Sequence, residues 1–140
     1  MVQFTVQYGQ TDSNGKTLSK RNTANPPTVN FAGQEGKVYT LLMSDPDAQA
    51  KSWLHWLVIN IPGESREITD GQVIANYVPP TPPSGLHNYI FTLYEQPAGS
   101  LMMAAPSERG NFQVKAFEQK FGLRKLVSRI VKVPANEKLN

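Results

Sequence analysis

Residues 37–44 read KVYTLLMS, a run that is apolar almost throughout and is followed at once by the turn-forming segment Asp45-Pro46-Asp47-Ala48. A short apolar run that is stopped by turn residues is typical of a strand buried on both faces. Residues 55–61 (HWLVINI) and 87–94 (HNYIFTLY) have the same character, and Pro62-Gly63 ends the first of them. The three runs predict the central strands of one sheet, and the fold class is therefore mainly β.

The segments around these runs agree with a β fold. Phe4, Val6 and Tyr8 alternate with polar residues, as in a half-buried first strand, and residues 28–31 (TVNF) predict another short strand. Asn14-Gly15, inside the polar cluster of residues 11–16, is a hairpin-turn signal. Residues 77–85 (YVPPTPPSG) predict a loop, because proline removes backbone donors that a helix or an inner strand needs.

Helical spacing occurs only in the last quarter of the chain. Phe112, Ala116, Phe117 and Phe121 recur at the intervals of one helical face, and Gly122 is a plausible stop. The same quarter is basic, because residues 109–140 hold eight Lys and Arg against Glu118 and Glu137. This tail could meet nucleic acid, an acidic lipid surface or an acidic protein. The charges are spread out and lack interleaved aromatics, so we interpret the tail as a solvated helix face with a frayed end and expect no nucleic-acid partner.

The length of 140 residues and the absence of repeats or linkers predict a single domain over residues 1–140. The chain has no cysteine, which excludes disulfides and thiolate-bound zinc. Its first residues do not resemble a signal peptide, and no run approaches the ~18 apolar residues of a membrane span. We therefore expect a cytoplasmic protein without a cofactor.

Four ionisable residues stand at the edges of the predicted strands: Asp45 and Asp47 after the first, and the only two histidines, His55 and His87, at the start of the next two. If these strands are neighbours, their ends cluster around one opening, where sites on rigid sheets usually form. An aspartate beside a histidine raises the pKa of the imidazole, and the resulting cation can donate hydrogen bonds to an anion. The same cluster could instead serve a hydrolase, with or without a metal, or act only as caps for turns.

Several motifs occur together in one order. They are Asp45-Pro46-Asp47-Ala48, Trp53-Leu54-His55-Trp56, Tyr77 leading to Pro82-Pro83, and Gly85-Leu86-His87-Asn88-Tyr89. Leu93-Tyr94-Glu95-Gln96, Arg109-Gly110-Asn111-Phe112 and Phe121-Gly122-Leu123 follow them. Over roughly residues 26–125 the chain resembles the phosphatidylethanolamine-binding protein (PEBP) family.

The resemblance implies a large antiparallel sheet packed on a smaller one, here with a short C-terminal helix. It also implies a shallow pocket for phosphate, phosphoethanolamine or another small anionic group. By position, the residues that would line it are Asp45, Asp47, Trp53, His55, Tyr77, Pro82, His87 and Tyr89. Thr81 stands where the family often has a glycine whose N–H meets the anion.

The chain departs from the family pattern at the pocket rim. Gln49 replaces a common proline, Asn88 replaces a usual arginine, and Lys132 lies about where animal members place a tyrosine over the pocket. The loop between Tyr77 and His87 is also shorter than in the animal members. Because of these differences, the resemblance does not specify the natural ligand.

The family's members act as kinase-pathway regulators, protease inhibitors or developmental signalling adaptors. The resemblance therefore implies a non-enzymatic regulator or inhibitor of a protein partner, either a kinase or a protease. We expect no catalytic residue, no bound metal and at most peripheral membrane contact. The alternative is the hydrolase described above.

Overall fold

A computed structural model describes residues 3–65 and 67–136 of the chain. The strands are β1 Phe4–Tyr8, β2 Thr11–Asp12, β3 Thr28–Phe31, β4 Val38–Asp45, β5 Trp53–Pro62, β6 Gln72–Ala75, β7 Leu86–Glu95 and β8 Arg124–Pro134. One α-helix, α1, spans Val114–Lys120, and short 3-10 helices span Arg21–Thr23 and Ile68–Asp70. No helix in the described ranges is long and apolar enough to cross a membrane.

The strands form two antiparallel sheets. A five-stranded sheet has the order β6-β5-β4-β7-β8, and a three-stranded sheet has the order β2-β1-β3. One core cluster joins them, with Phe4 and Val6 of the small sheet packed with Leu41 and Met43 of the large sheet. The mainly β fold and the packing of a large sheet on a small one, both predicted from the sequence, are confirmed.

The central strand β4 is buried on both faces because the large sheet is covered on both sides. Its residues Leu41 and Met43 belong to the cluster under the small sheet, whereas Leu42 belongs to a second cluster with Phe117 of α1. Every β4 residue after Val38 is buried. Residues 37–44 are apolar almost throughout because both faces of this strand are buried.

The interpretation of the basic tail as a solvated helix face is wrong for residues 124–134, which form β8. Ten residue pairs join this strand to β7, and Val131 and Val133 are buried in the core. Four of the tail's positive charges, Arg124, Lys125, Arg129 and Lys132, stand on β8, and charges of this kind protect an edge strand from pairing with other chains. Glu137 and Lys138 lie outside the described residues.

The first hairpin turns one step earlier than predicted. β1 and β2 are joined through Gly9 and Gln10, with Tyr8 paired to Thr11, so residues 11 and 12 are strand rather than turn. Asn14-Gly15 does form a turn, but it contacts β8: the Gly15 N–H donates to Ile130 O at 2.6 Å. Asn14-Gly15 is therefore a turn, as predicted, but it is not the turn that joins β1 to β2.

Candidate functional site

The three central strands bring one end each to the same edge of the large sheet. Asp45 is the last residue of β4, His55 is near the start of β5, and His87 is near the start of β7. Because β4 is antiparallel to both neighbours, its end lies beside their beginnings. All three side chains are buried. The structure therefore brings Asp45, His55 and His87 together, as the sequence predicts.

Asp45 and His87 form a buried pair. The His87 Nδ1 lies 2.7 Å from Asp45 Oδ2, and the two residues are 8% and 3% exposed. The other carboxylate oxygen, Oδ1, accepts a hydrogen bond from the Asp47 N–H at 2.9 Å. Both oxygens of Asp45 are thus occupied by protein donors, which limits the repulsion that this carboxylate exerts on an anion nearby.

His55 is oriented by the proline-rich loop. Its Nδ1 lies 2.6 Å from Val78 O, and since a carbonyl can only accept, Nδ1 carries the hydrogen. Burial lowers the pKa of His55 below its ordinary value of 6.5 and outweighs the opposing effects of the Val78 carbonyl and of Asp45. Asp45 does act in the expected direction and raises the His55 pKa, but burial lowers this pKa more, so the expected imidazolium is wrong for His55. Neutral His55 presents Nε2 as a hydrogen-bond acceptor.

Tyr89 supplies the unusual polar group of the site. The residue is 1% exposed, yet its hydroxyl has no hydrogen-bond partner in the described part of the chain. Burial raises the pKa of this phenol, and the nearby Asp45 carboxylate raises it further, although no hydrogen bond of acceptable geometry joins the two. Tyr89 therefore stays protonated and keeps an unused O–H donor.

The aromatic rings of the cluster are packed closely around this hydroxyl-bearing residue. The His55 ring meets the Tyr89 ring edge to face at 5.1 Å, and the His87 ring is stacked on it at 6.3 Å. The centres of the Trp53 and His55 rings lie 4.7 Å apart. These contacts restrict each ring to one orientation, so the polar atoms are held ready rather than free to rotate.

A cavity of about 300 Å³ opens beside these groups. Seven of the nine residues predicted for the pocket line it: Asp45, Trp53, His55, Thr81, Pro82, His87 and Tyr89. Ala48, Gln49, Ala50 and Pro83 complete the lining. Lys132, which by the family resemblance lies about where animal members place a tyrosine over the pocket, does not line the cavity; it stands on β8 opposite Asn88 of β7.

Asp47 and Tyr77 do not line this cavity. The Asp47 carboxylate accepts hydrogen bonds from the backbone N–H and the side-chain amide of Asn88, at 2.8 and 3.1 Å, so it ties the loop after β4 to β7. The Tyr77 hydroxyl donates to Thr23 O at 2.7 Å and lies 2.5 Å from the Tyr8 hydroxyl. Both residues have partners that give them a structural role.

Arg109 is a neighbour of the site that sequence reasoning did not single out. Its Nη1 donates to the carbonyls of Leu54 and His55, each at 3.2 Å, and its guanidinium lies 5.6 Å from the centre of the Trp53 ring. The residue therefore fixes the start of β5 and places a positive charge behind the pocket wall. Its motif was visible in the sequence, but a separation of more than 50 residues hid its contact with His55.

The cluster does not present a metal site: within residues 3–65 and 67–136, no three acidic or histidine side chains are arranged so that they could hold a metal ion. The Asp45 oxygens are already bonded, and both Nδ1 atoms are engaged with protein acceptors. What the arrangement offers is a donor at Tyr89, an acceptor at His55 and the outer ring nitrogen of His87.

A family model and a curated plant protein both match this chain over most of its length. The family model of phosphatidylethanolamine-binding protein matches residues 4–130. "Protein MOTHER of FT and TFL1 homolog 2" from Oryza sativa subsp. japonica is 38% identical over 127 residues, which are 83% of this chain and 71% of that protein.

Two solved structures share the fold. A carboxypeptidase Y inhibitor, solved as a complex with its cognate proteinase, superposes with a TM-score of 0.79 at 18% identity, covering 95% of this chain and 83% of that chain. The phosphatidylethanolamine-binding protein from Plasmodium vivax gives 0.77 at 19% identity, covering 96% and 86%. At these identities the likeness concerns the fold alone.

Proposed function

This chain belongs to the phosphatidylethanolamine-binding protein family, and on that basis we propose that its cavity binds a phosphate or phosphoethanolamine group and that the protein regulates or inhibits a partner protein. The observation that carries the first part is the buried Tyr89 hydroxyl, which has no hydrogen-bond partner within residues 3–65 and 67–136. A buried polar group left unbonded costs about 1–3 kcal/mol, so its retention points to a ligand atom that completes the bond.

The donors around the cavity suit an oxyanion. Tyr89 offers its O–H, and the His87 ring, whose Nδ1 faces Asp45, has Nε2 left for a ligand. In the proline-rich stretch of residues 79–83, Thr81 has the one backbone N–H, since the other four residues are prolines. Thr81, His87 and Tyr89 come from separate elements and all line the one cavity, where a phosphate group would meet the donors of Tyr89 and Thr81 beside the outer ring nitrogen of His87.

The acceptors explain why a zwitterionic group fits better than a bare anion. Neutral His55 has Nε2 available to accept, and either an ammonium group or a protonated phosphate oxygen supplies a hydrogen for it. The volume of about 300 Å³ is at the small end for ligand pockets, which suits a head group and not acyl chains. We therefore propose binding of a head group or free phosphate compound rather than lipid transport.

The second part of the proposal, a protein partner, rests on similarity to other proteins of the same fold. The carboxypeptidase Y inhibitor has the same fold, and it is bound to a proteinase in its crystal structure. We propose that this chain likewise acts on a protease or kinase, without enzymatic activity of its own. In favour of binding over hydrolysis, no Ser or Thr hydroxyl in the described chain hydrogen-bonds either histidine.

The pocket is tested by NMR titration of the protein with O-phosphorylethanolamine, in parallel with inorganic phosphate and with ethanolamine. We expect saturable shifts at His55, Thr81 and Tyr89 for the first two compounds and a weaker response to ethanolamine. Tyr89→Phe should weaken phosphate binding by about tenfold, as expected for one lost charge-assisted hydrogen bond. Tyr39→Phe is a matched control, because the Tyr39 hydroxyl accepts from the Gln34 N–H outside the cavity.

Equal affinity of the native protein and Tyr89→Phe would contradict the pocket proposal, as would the absence of any shift. The partner proposal is tested separately, by inhibition assays on serine proteases and protein kinases. Saturable inhibition of one enzyme class is expected. Inactivity against both classes would remove the inhibitor role and leave anion binding untouched.

A further inference from the structure

A second feature of the molecule lies away from the cavity, at the open edge of β3. This strand stands at one margin of the three-stranded sheet, and its only strand partner there is β1. The Ala32 N–H donates to Gln3 O at 3.1 Å, which shows that Ala32 and Gln3 are a hydrogen-bonded pair of the antiparallel ladder between β3 and β1. Since bonded and non-bonded pairs alternate, Val29 and Phe31 direct their N–H and C=O groups away from β1.

These four backbone groups have no hydrogen-bond partner in the ranges that the structure describes. The edge is bounded at both ends. Pro26 and Pro27 precede it and have no N–H to offer, and at its other end Gly33 packs so closely on the backbone of Gly63 that a Cβ at Gly33 would lie 2.7 Å from the Gly63 Cα. An incoming strand is thus confined to the two residues Val29 and Phe31.

The open edge faces a groove made of two adjoining cavities of about 290 and 350 Å³. Val29, Glu67 and Ile68 line both. The first cavity is otherwise mostly apolar, with Trp56, Tyr77 and the two prolines in its lining, whereas the second is more polar, with Asn30 and Ser65. Neither shares a residue with the cavity beside His55.

The groove has a negative rim. Glu67 is exposed, lines both cavities and has no ion pair in the described residues. The loop from Glu64 to Asp70 carries three acidic residues against one arginine. A positively charged side chain entering the groove would therefore meet an unpaired carboxylate.

The edge strand β8 of the large sheet differs from β3, because it is protected against pairing with other chains. β8 carries Arg124, Lys125 and Arg129, and its second half is covered by residues 14–18, for example by the bond from the Leu18 N–H to Lys132 O. β3 reads TVNF and has no charge of its own. An edge strand without charge of its own, and without a backbone partner beyond β1 in the described ranges, lacks the charges and coverage that usually block unwanted strand pairing.

We propose that the β3 edge binds an extended segment of a partner protein as an added strand. Its backbone pairs with Val29 and Phe31, an apolar side chain enters the cavity at Trp56 and Tyr77, and a Lys or Arg side chain meets Glu67. Main-chain pairing gives such a contact its affinity, and the pockets for side chains give it specificity. This surface is independent of the anion pocket and of its proposed ligand.

The test begins with selection of peptides from a displayed library of random octapeptides, using the whole chain as bait. We expect enriched sequences that contain a Lys or Arg and a nearby large apolar residue. Amide hydrogen exchange is then measured by NMR with one synthetic selected peptide. The Val29 and Phe31 amides should exchange at least tenfold more slowly in its presence, while the Asn30 amide, which faces β1, serves as the internal control.

Charge reversal at the rim separates this groove from any other peptide site. Glu67→Lys should weaken binding of the selected peptide about five- to tenfold, as expected for reversing one exposed ion pair. Glu64→Lys makes the same charge change three residues earlier, outside the lining of both cavities, and should leave affinity within about twofold.

Four results would overturn the proposal. The first is that the library yields no enriched peptide, and the second is that peptide binding leaves the exchange of the Val29 and Phe31 amides unchanged. The third is that Glu67→Lys and Glu64→Lys weaken binding equally. The fourth is self-association of the chain through this edge without peptide, seen by analytical ultracentrifugation, because the occupant would then be a second copy.

Discussion

The two ends of the same three strands hold buried polar groups of opposite character. At the end where β4 begins and β5 and β7 finish, Gln96 is 3% exposed and every polar atom of its side chain is bonded. Its Oε1 accepts from Thr40 and from the Asn60 N–H, and its Nε2 donates to Asn60 and Gly99. At the other end, the Tyr89 hydroxyl has no partner among the described residues.

The difference separates a structural polar cluster from a candidate site. A closed network rigidifies the fold and leaves nothing for a ligand to bond, whereas an open one keeps unused donors and acceptors beside a cavity. Gln96, Thr40, Asn60 and Gly99 line none of the three cavities described above, while the cluster of Asp45, His55 and His87 lines one of about 300 Å³. Satisfaction of hydrogen bonds, more than burial or residue type, distinguishes the two ends.

The largest loss of stability is expected at the closed end of the strands, where every polar atom of the Gln96 side chain is hydrogen-bonded. Gln96→Leu keeps the side-chain volume but leaves Thr40, Asn60 and Gly99 with lost partners, so we expect the free energy of unfolding to fall by about 3–6 kcal/mol. The response to O-phosphorylethanolamine should persist. Urea denaturation measures the first and NMR titration the second. Gln49→Leu at the exposed rim is the matched control, with a change within about 0.5 kcal/mol.

A smaller loss of stability is expected from a substitution at the open end of the strands, where Asp45, His55 and His87 line the cavity. His87→Ala removes the partner of Asp45 Oδ2, but the adjoining cavity lets water reach the carboxylate, so we expect a cost of about 2–3 kcal/mol. Unlike Gln96→Leu, this variant should lose the ligand response. If His87→Ala is destabilised but still binds phosphate with native affinity, the cluster is structural and the contrast between the two ends disappears.

Tyr89→Phe gives the sharpest form of the comparison, because it should separate stability from binding. The change deletes a buried hydroxyl that has no partner, so the free protein should become more stable by up to about 1 kcal/mol. Tyr94→Phe is the matched control, because the Tyr94 hydroxyl donates to Glu118 at 2.6 Å and its removal should destabilise. A loss of stability in Tyr89→Phe comparable to that in Tyr94→Phe would show that the Tyr89 hydroxyl is bonded in the free protein.

The smallest effect concerns pH. Burial lowers the pKa of His55 in the folded state, so on acidification the unfolded chain takes up this proton first. The contribution of His55 is unchanged above the ordinary pKa of 6.5, and the free energy of unfolding declines as the pH falls from there towards the lowered pKa. His55→Gln should have a shallower dependence between pH 7.5 and 5.5, measured by urea denaturation.

The control for this pH effect is the hydrogen-bond network of Gln96, because its members Thr40, Asn60, Gln96 and Gly99 have no titratable side chain. Gln96→Leu should keep the same pH slope as the native protein even though its stability is lower throughout. An imidazole NMR titration of His55 with a midpoint above 6.5 would contradict the lowered pKa directly.

The elements that the sequence predicted well are those defined by local burial. β1, β3 and the three central strands were found because each has a periodic or continuous apolar pattern that its own residues carry. β8 was missed because its burial pattern is irregular over residues 124–130 and its charges resemble a solvated surface. An edge strand owes its conformation to the ladder with its neighbour, here β7, which lies about 40 residues earlier.

Within the candidate site, the sequence placed the ionisable residues at neighbouring strand ends but not their partners. It treated Asp45 and Asp47 as a pair facing one ligand, yet Asp45 bonds His87 and Asp47 bonds Asn88. Tyr77 was expected beside His55, but its hydroxyl is held by Thr23 and Tyr8 under the small sheet. Hydrogen bonds join atoms that are 41–69 residues apart in these cases, and no local pattern encodes such choices.

The sequence by itself determined the mainly β fold, the family and the three strand ends that carry Asp45, His55 and His87, because hydrophobic periodicity and motif order are properties of the chain read in one dimension. The tertiary structure alone decided that Asp45 pairs with His87, that burial lowers the His55 pKa and that Arg109 contacts the start of β5. It also decided that the Tyr89 hydroxyl has no partner among the described residues. Those outcomes depend on strand register and on burial, and both arise only when distant segments pack together.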